Sequence, residues 1–145
     1  MGNRLIGAVI GSVLASGPGQ GTEPQRARVA GVDLALSEQD GRCVVSSTRG
    51  EQVTLAPPPP CWFAATQDGS PYTHAAPGAQ AEAVIVVGNV YTGTYRTASR
   101  CGTESQAVVV GARSLRASAR VARGGLRCVG EAPGPAEWWL FLEQR

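Results

Sequence analysis

Four cysteines, at positions 43, 61, 101 and 128, constrain this chain more than any other feature. Neighbouring cysteines lie 18, 40 and 27 positions apart, no Cys-x-x-Cys occurs, and His74 is the sole histidine. A zinc site wants clustered Cys and His at short spacing. The spacing therefore predicts two disulfides and no metal site. Three pairings are possible. Closing the 43–61 or the 101–128 loop is worth about 3 to 3.5 kcal/mol and a 61–101 loop about 4 kcal/mol, too small a difference to choose between them. Local order does choose, because each sequential pair brackets a strand, a turn and a return. The expected bonds are Cys43–Cys61 and Cys101–Cys128.

Disulfides persist in oxidising compartments, and the N-terminus agrees. In "MGNRLIGAVIGSVLASGPGQG", Arg4 precedes an apolar stretch over 5–15, and small residues follow. That is the layout of a secretory signal, with cleavage expected after Ala15. The stretch is shorter than the roughly 20 residues a spanning helix needs. No Cys follows it, so no lipid anchor is expected, and Ile6 breaks the myristoylation pattern. The expected organisation is a signal peptide at 1–15, a flexible leader at 16–28 and a single disulfide-stapled β domain at 29–145. The mature protein is expected in the periplasm or outside the cell, not inserted in a membrane.

Past the leader, short β-branched runs alternate with turn chemistry. Strands are expected at 29–36, 43–47, 52–56 and 61–66, with turns at 37–42 around Asp40-Gly41 and at 48–51 around Gly50. Four prolines at 57–60 read as a rigid corner delivering Cys61. A long loop is expected over 67–80. Val84, Ile85, Val86 and Val87 form an unbroken apolar run, the mark of a strand covered on both faces. A second such strand is expected at 105–112, with 103–106 as its polar entrance. From Ser114 to Val121, Ser and Arg alternate with apolar residues, which predicts a half-exposed strand. Gly124 and Gly125 are expected to turn the chain. Pro135 suits a first helical position, with Glu137 in the first turn and Arg145 at the end. A short helix packing Trp138, Trp139 and Leu142 is expected, with an edge strand as the alternative. The fold class is all-β, an antiparallel sandwich or barrel-like fold, with one short C-terminal helix.

The net charge is +2, and all 13 basic residues are Arg, with no dense basic run. A nucleic-acid partner is therefore not expected, and no phosphate loop or cofactor motif is present. His74 lies in the 67–80 loop. It could serve Ser105 or Ser70 as a base with Glu104 orienting, but no Gly-x-Ser-x-Gly or Ser-x-x-Lys supports a nucleophile. The bland reading is a solvated loop histidine. Thr103, Glu104 and Gln106 either satisfy turn backbone groups or border a ligand. Arg96, Arg100, Arg123 and Arg127 can converge, since a Cys101–Cys128 bond would set Arg100 beside Arg127. Paired guanidiniums recognise carboxylates; the plain alternative is a solvated face. Trp62, Trp138 and Trp139 could line a pocket, although adjacent tryptophans on a helix point apart, which puts one in the core.

The phrases "PPCWF" (59–63), "AVIVVGN" (83–89), "CGTESQAVVV" (101–110), "RGGLRC" (123–128) and "AEWW" (136–139), in this order and spacing, resemble small exported proteobacterial proteins of the carbapenem self-resistance (CarG-like) group. The resemblance implies a periplasmic, β-rich, disulfide-bearing protein that protects cells by binding a carbapenem rather than hydrolysing it. It transfers no ligand residues. The functional expectation is an exported, non-catalytic binding protein without cofactor. Its candidate ligand residues are Arg100, Thr103, Glu104, Gln106 and Arg127. The alternatives are an inhibitor-like envelope module presenting the 67–80 loop to a protein partner, and a small hydrolase using His74.

Overall fold

The structure, a computed structural model, describes residues 25–78, 80–93 and 100–143. The expected signal at 1–15, most of the expected leader, Arg96 and Arg145 lie outside the described residues. Two-residue turns set the first sheet. Ala30 and Gly31 have φ of 52° and 75°, and Asp40 and Gly41 have φ of 51° and 75°. Such left-handed pairs match the twist of hairpin strands. They join β1 (Gln25–Val29) to β2 (Val32–Gln39) and β2 to β3 (Arg42–Ser47); β4 (Gln52–Thr54) completes a four-stranded meander. The sheet therefore begins at Gln25, inside the segment expected to be leader. The strand expected over 29–36 is split by its own turn. Ala-Gly is a weaker turn signal than Asp-Gly, which is why the split was not legible.

The second sheet holds β5 (Trp62–Phe63), β6 (Thr73–Ala75), β7 (Glu82–Val90), β8 (Cys101–Val110) and β9 (Leu115–Cys128). Its order is β5-β7-β8-β9, and β6 pairs with the first half of β7 on the edge that β5 uses farther along. All named strand pairs are antiparallel. Helix α1 (Pro135–Leu142) follows. Period-two alternation in β7 and β8 feeds two cores. Val84, Val86, Val108 and Val110 pack against Leu34, Leu36 and Val45 of the first sheet and against Leu55 just past β4. Ala83, Ile85, Val87, Ala107 and Val109 pack on the opposite face against Trp62, Trp138 and Phe141. The result is three layers: sheet, sheet and helix. Each fully buried valine contributes about 1.5 to 3 kcal/mol.

Both expected disulfides are present, with different tasks. Cys43–Cys61 ties β3 to the residue before β5 and so joins the two sheets, whereas Cys101–Cys128 is a rung between β8 and β9. Arg49 adds a polar latch between sheets. Its guanidinium donates to the carbonyls of Gly111 (2.9 Å), Ala112 (2.7 Å) and Ser114 (3.1 Å) in the β8–β9 turn. The proline corner lies close over β7 at Gly88. A Cβ there would sit 2.7 Å from Pro58 O and 2.8 Å from Cys61 Sγ, so only glycine fits.

Four further expectations need correction. The 67–80 segment is not all loop, because β6 pairs with β7. Gly124 and Gly125 do not turn the chain. β9 runs through them to Cys128, and they sit in a bulge. Ser118 is not on the outer face. A second bulge between Gln106 and Val108 turns it inward, where its hydroxyl accepts from Ala107 N at 3.1 Å. Trp139 does not pack in the core; it is 62% exposed while Trp138 and Phe141 are buried.

Candidate functional site

Near the end of the β8–β9 ladder the two strands carry unequal numbers of residues. Gly102 pairs with Arg127 and Glu104 with Arg123, so Thr103 stands opposite Gly124, Gly125 and Leu126. Gly124 absorbs the extra length with a φ of 93°. Between this bulge and α1 lies an open cleft of about 330 Å³, whose walls include Thr103, Glu104, Arg123, Leu126, Arg127 and Glu137.

The β8 wall is fixed by Asn89, which has a φ of 58° near the end of β7. Its side-chain amide donates to Thr103 Oγ1 at 2.8 Å and to Glu104 Oε2 at 3.3 Å, while Thr103 Oγ1 donates to the Asn89 carbonyl at 3.2 Å. Glu104 Oε1 faces Arg123 Nε at 3.5 Å. The Arg123 side chain is 62% exposed and that of Glu104 only 17%. The guanidinium thus stands at the mouth and the carboxylate inside.

The opposite wall is an ion pair between β9 and α1. Arg127 Nε donates to Glu137 Oε2 at 2.8 Å, and a terminal nitrogen donates to Glu137 Oε1. A further N–H reaches the Glu131 carbonyl at 3.3 Å. Arg127 is well buried, and this lowers its pKa from the usual guanidinium range; the Glu131 charge opposes the shift. Arginine remains a cation at neutral pH even so. Glu137 also accepts the Gly134 N–H at 3.1 Å, capping the helix that carries it.

Of the five residues expected to bind ligand, three meet in this cleft: Thr103, Glu104 and Arg127. Thr103 and Glu104 belong to β8 itself and do not form a turn before it. Arg127 is committed to Glu137. Gln106 is buried and structural: its side chain donates to Ser118 O at 2.7 Å and accepts from Ala56 N at 2.9 Å, linking β9 to the proline corner. Arg100 does not converge with Arg127. Its guanidinium lies 4.5 Å over the Trp62 ring, in a separate cleft. Register explains this, because Arg100 and Arg127 flank opposite ends of the Cys101–Cys128 rung.

His74 is exposed and its ring is stacked on Trp138 at 5.1 Å, with Nδ1 2.8 Å from Ala75 O. It pairs with Ala83, whereas Ser105 pairs with Val87. The two sit on opposite edges of β7 and are offset by four residues, about 13 Å, along it, so the His74–Ser105–Glu104 grouping does not form. Among the described residues no cluster of three His, Cys, Asp or Glu side chains could hold a metal.

Asn89 and Glu137 were not recognised from sequence as site residues. Gly88-Asn89 interrupting an apolar strand was the available signal for the first. For the second, the helix start at Pro135 was visible, but nothing in sequence connected it to Arg127. Comparison with protein-family models, with curated proteins and with solved structures found no match.

Proposed function

We propose that this protein is an exported, non-catalytic binding domain, and that its bulge cleft takes a small carboxylate that also carries hydrogen-bond donors. A carbapenem-type β-lactam is the member of that class to which the sequence resemblance points. The observation carrying the reading is Arg123. Its guanidinium is exposed at the mouth of the cleft and tied to Glu104 only at 3.5 Å. An ion pair of that kind is worth about 0 to 1 kcal/mol, so a ligand carboxylate can take the guanidinium at little cost. Glu104 stays in place, held by Asn89, and can accept from ligand donors beside Thr103. Two disulfides fit a periplasmic or extracellular protein. Stabilisation of the oxidised domain by a carbapenem that is recovered intact, and its loss in Arg123→Ala, tests the proposal.

A second reading, an envelope module that docks a protein, is favoured by the exposed Trp139 beside His74, Pro77 and Pro135. Under that reading Trp139→Ala abolishes partner binding and Arg123→Ala does not, as read by sedimentation of the purified pair.

A further inference from the structure

Beyond the Cys101–Cys128 rung, away from the bulge, lies a second cleft of about 250 Å³. Its walls include Trp62, Phe63, Ala64, Ala65, Arg100 and Val129. Trp62 is 4% exposed and forms the floor on which the Arg100 guanidinium rests. The backbone fixes this corner: Val129 N–H donates to Arg100 O at 2.9 Å, and Tyr72 OH donates to Gly130 O at 3.2 Å. Gln25 is already engaged, donating to Cys61 O at 3.3 Å and accepting from Phe63 N at 3.1 Å.

Among the described residues, no carboxylate lies within ion-pair distance of Arg100; the same holds for Arg26, Arg42, Arg113, Arg116 and Arg120, but Arg100 differs in resting over an aromatic ring. Nor does its guanidinium donate a hydrogen bond to any described residue. A guanidinium over an indole is attracted by the ring face, yet its N–H fork remains able to hold a carboxylate with two parallel bonds. The surrounding walls mix apolar side chains with polar Thr66 and Gln67, and Arg100 is their one charged group. We propose that this cleft is a second, separate binding site, for a small monocarboxylate with a flat apolar body. One cation balances one negative charge. A phosphate dianion would leave a charge unneutralised, because the cleft lining holds no second cation.

The test uses the full oxidised chain, labelled with nitrogen-15 and titrated with benzoate as probe. Saturable shifts are expected at the Trp62 indole N–H and at the amides of Val129 and Gly130. Arg100→Ala should weaken benzoate at least about tenfold, as for loss of a charge-assisted bond. Arg100→Lys keeps the charge without the fork and should also weaken it. Arg123→Ala should leave it unchanged, so this site stands or falls apart from the bulge cleft. Benzoate affinity unaltered in Arg100→Ala, or inorganic phosphate binding at Trp62 as well as benzoate does, would overturn the proposal.

Discussion

Arg127 on β9 donates to Glu137 Oε2 at 2.8 Å, and Glu137 in turn accepts the N–H of Gly134 at 3.1 Å. One carboxylate thus closes a wall of the cleft and caps the helix that forms it. Replacing it leaves Arg127, whose side chain is only 15% exposed, without its main partner. Glu137→Ala should therefore cost about 1.5 to 3 kcal/mol, measured by urea unfolding of the oxidised protein. A loss below about 0.5 kcal/mol, ordinary for a surface substitution, would show that the pair does not hold helix to sheet.

Two glycines are fixed by space. A Cβ on Gly88 would meet Pro58 O at 2.7 Å, and one on Gly102 would run into Gly88 O. Both obstacles are backbone and cannot swing away. Gly88→Ala and Gly102→Ala should each cost about 1 to 3 kcal/mol or more. Gly125→Ala, with nothing within 4 Å of the added carbon, should stay within about 0.5 kcal/mol. Equal effects at all three positions would contradict the close approach of the proline corner to β7.

Gln106 separates structural from ligand roles. Gln106→Ala leaves Ala56 N–H and Ser118 O without their partner, and should cost about 1 to 3 kcal/mol. Any ligand-induced stabilisation should survive in this variant. Normal stability with loss of ligand binding would return Gln106 to the site.

The fold was legible wherever one local signal sufficed. The even set of cysteines in sequential order predicted both bonds. The unbroken run at Val84, Ile85, Val86 and Val87 predicted a strand covered on two faces, and Pro135 marked a helix start. Two of the failures come from the bulges of β9 and a third from strand pairing. Gly124-Gly125 reads as a turn in one dimension, but the β8 partner extends the ladder past it. Ser118 fits an outward alternation until a bulge reverses it. Arg100 and Arg127 look adjacent because both precede bonded cysteines, yet antiparallel pairing sends them to opposite ends of the rung. Pairing register is a tertiary property, and single-strand periodicity does not contain it.

Acid should act on the 66–70 turn. The Asp68 carboxylate accepts from the Thr66 hydroxyl and from Ser70 N–H at 3.1 Å. Hydrogen bonds from Thr66 first, then Ser70, hold its pKa below the ordinary 3.8. A depressed folded value means that this group stabilises the turn above the ordinary value, and that the contribution is lost as pH falls through the folded one. Carbon-13 carboxyl titration should give a midpoint below 3.8 that Thr66→Val raises. A midpoint at or above 3.8 in the parent protein would contradict the hydrogen-bonded turn.

The most direct test of the binding reading is the melting temperature of the oxidised protein with and without a carbapenem, with a penicillin as control. Binding to the folded state alone should stabilise it by about 2.7 kcal/mol at a hundredfold excess over Kd. The account predicts a carbapenem-selective rise, with the drug recovered intact and the rise abolished by Arg123→Ala. No rise at millimolar drug, or one that survives Arg123→Ala and disappears in Arg100→Ala, would contradict it.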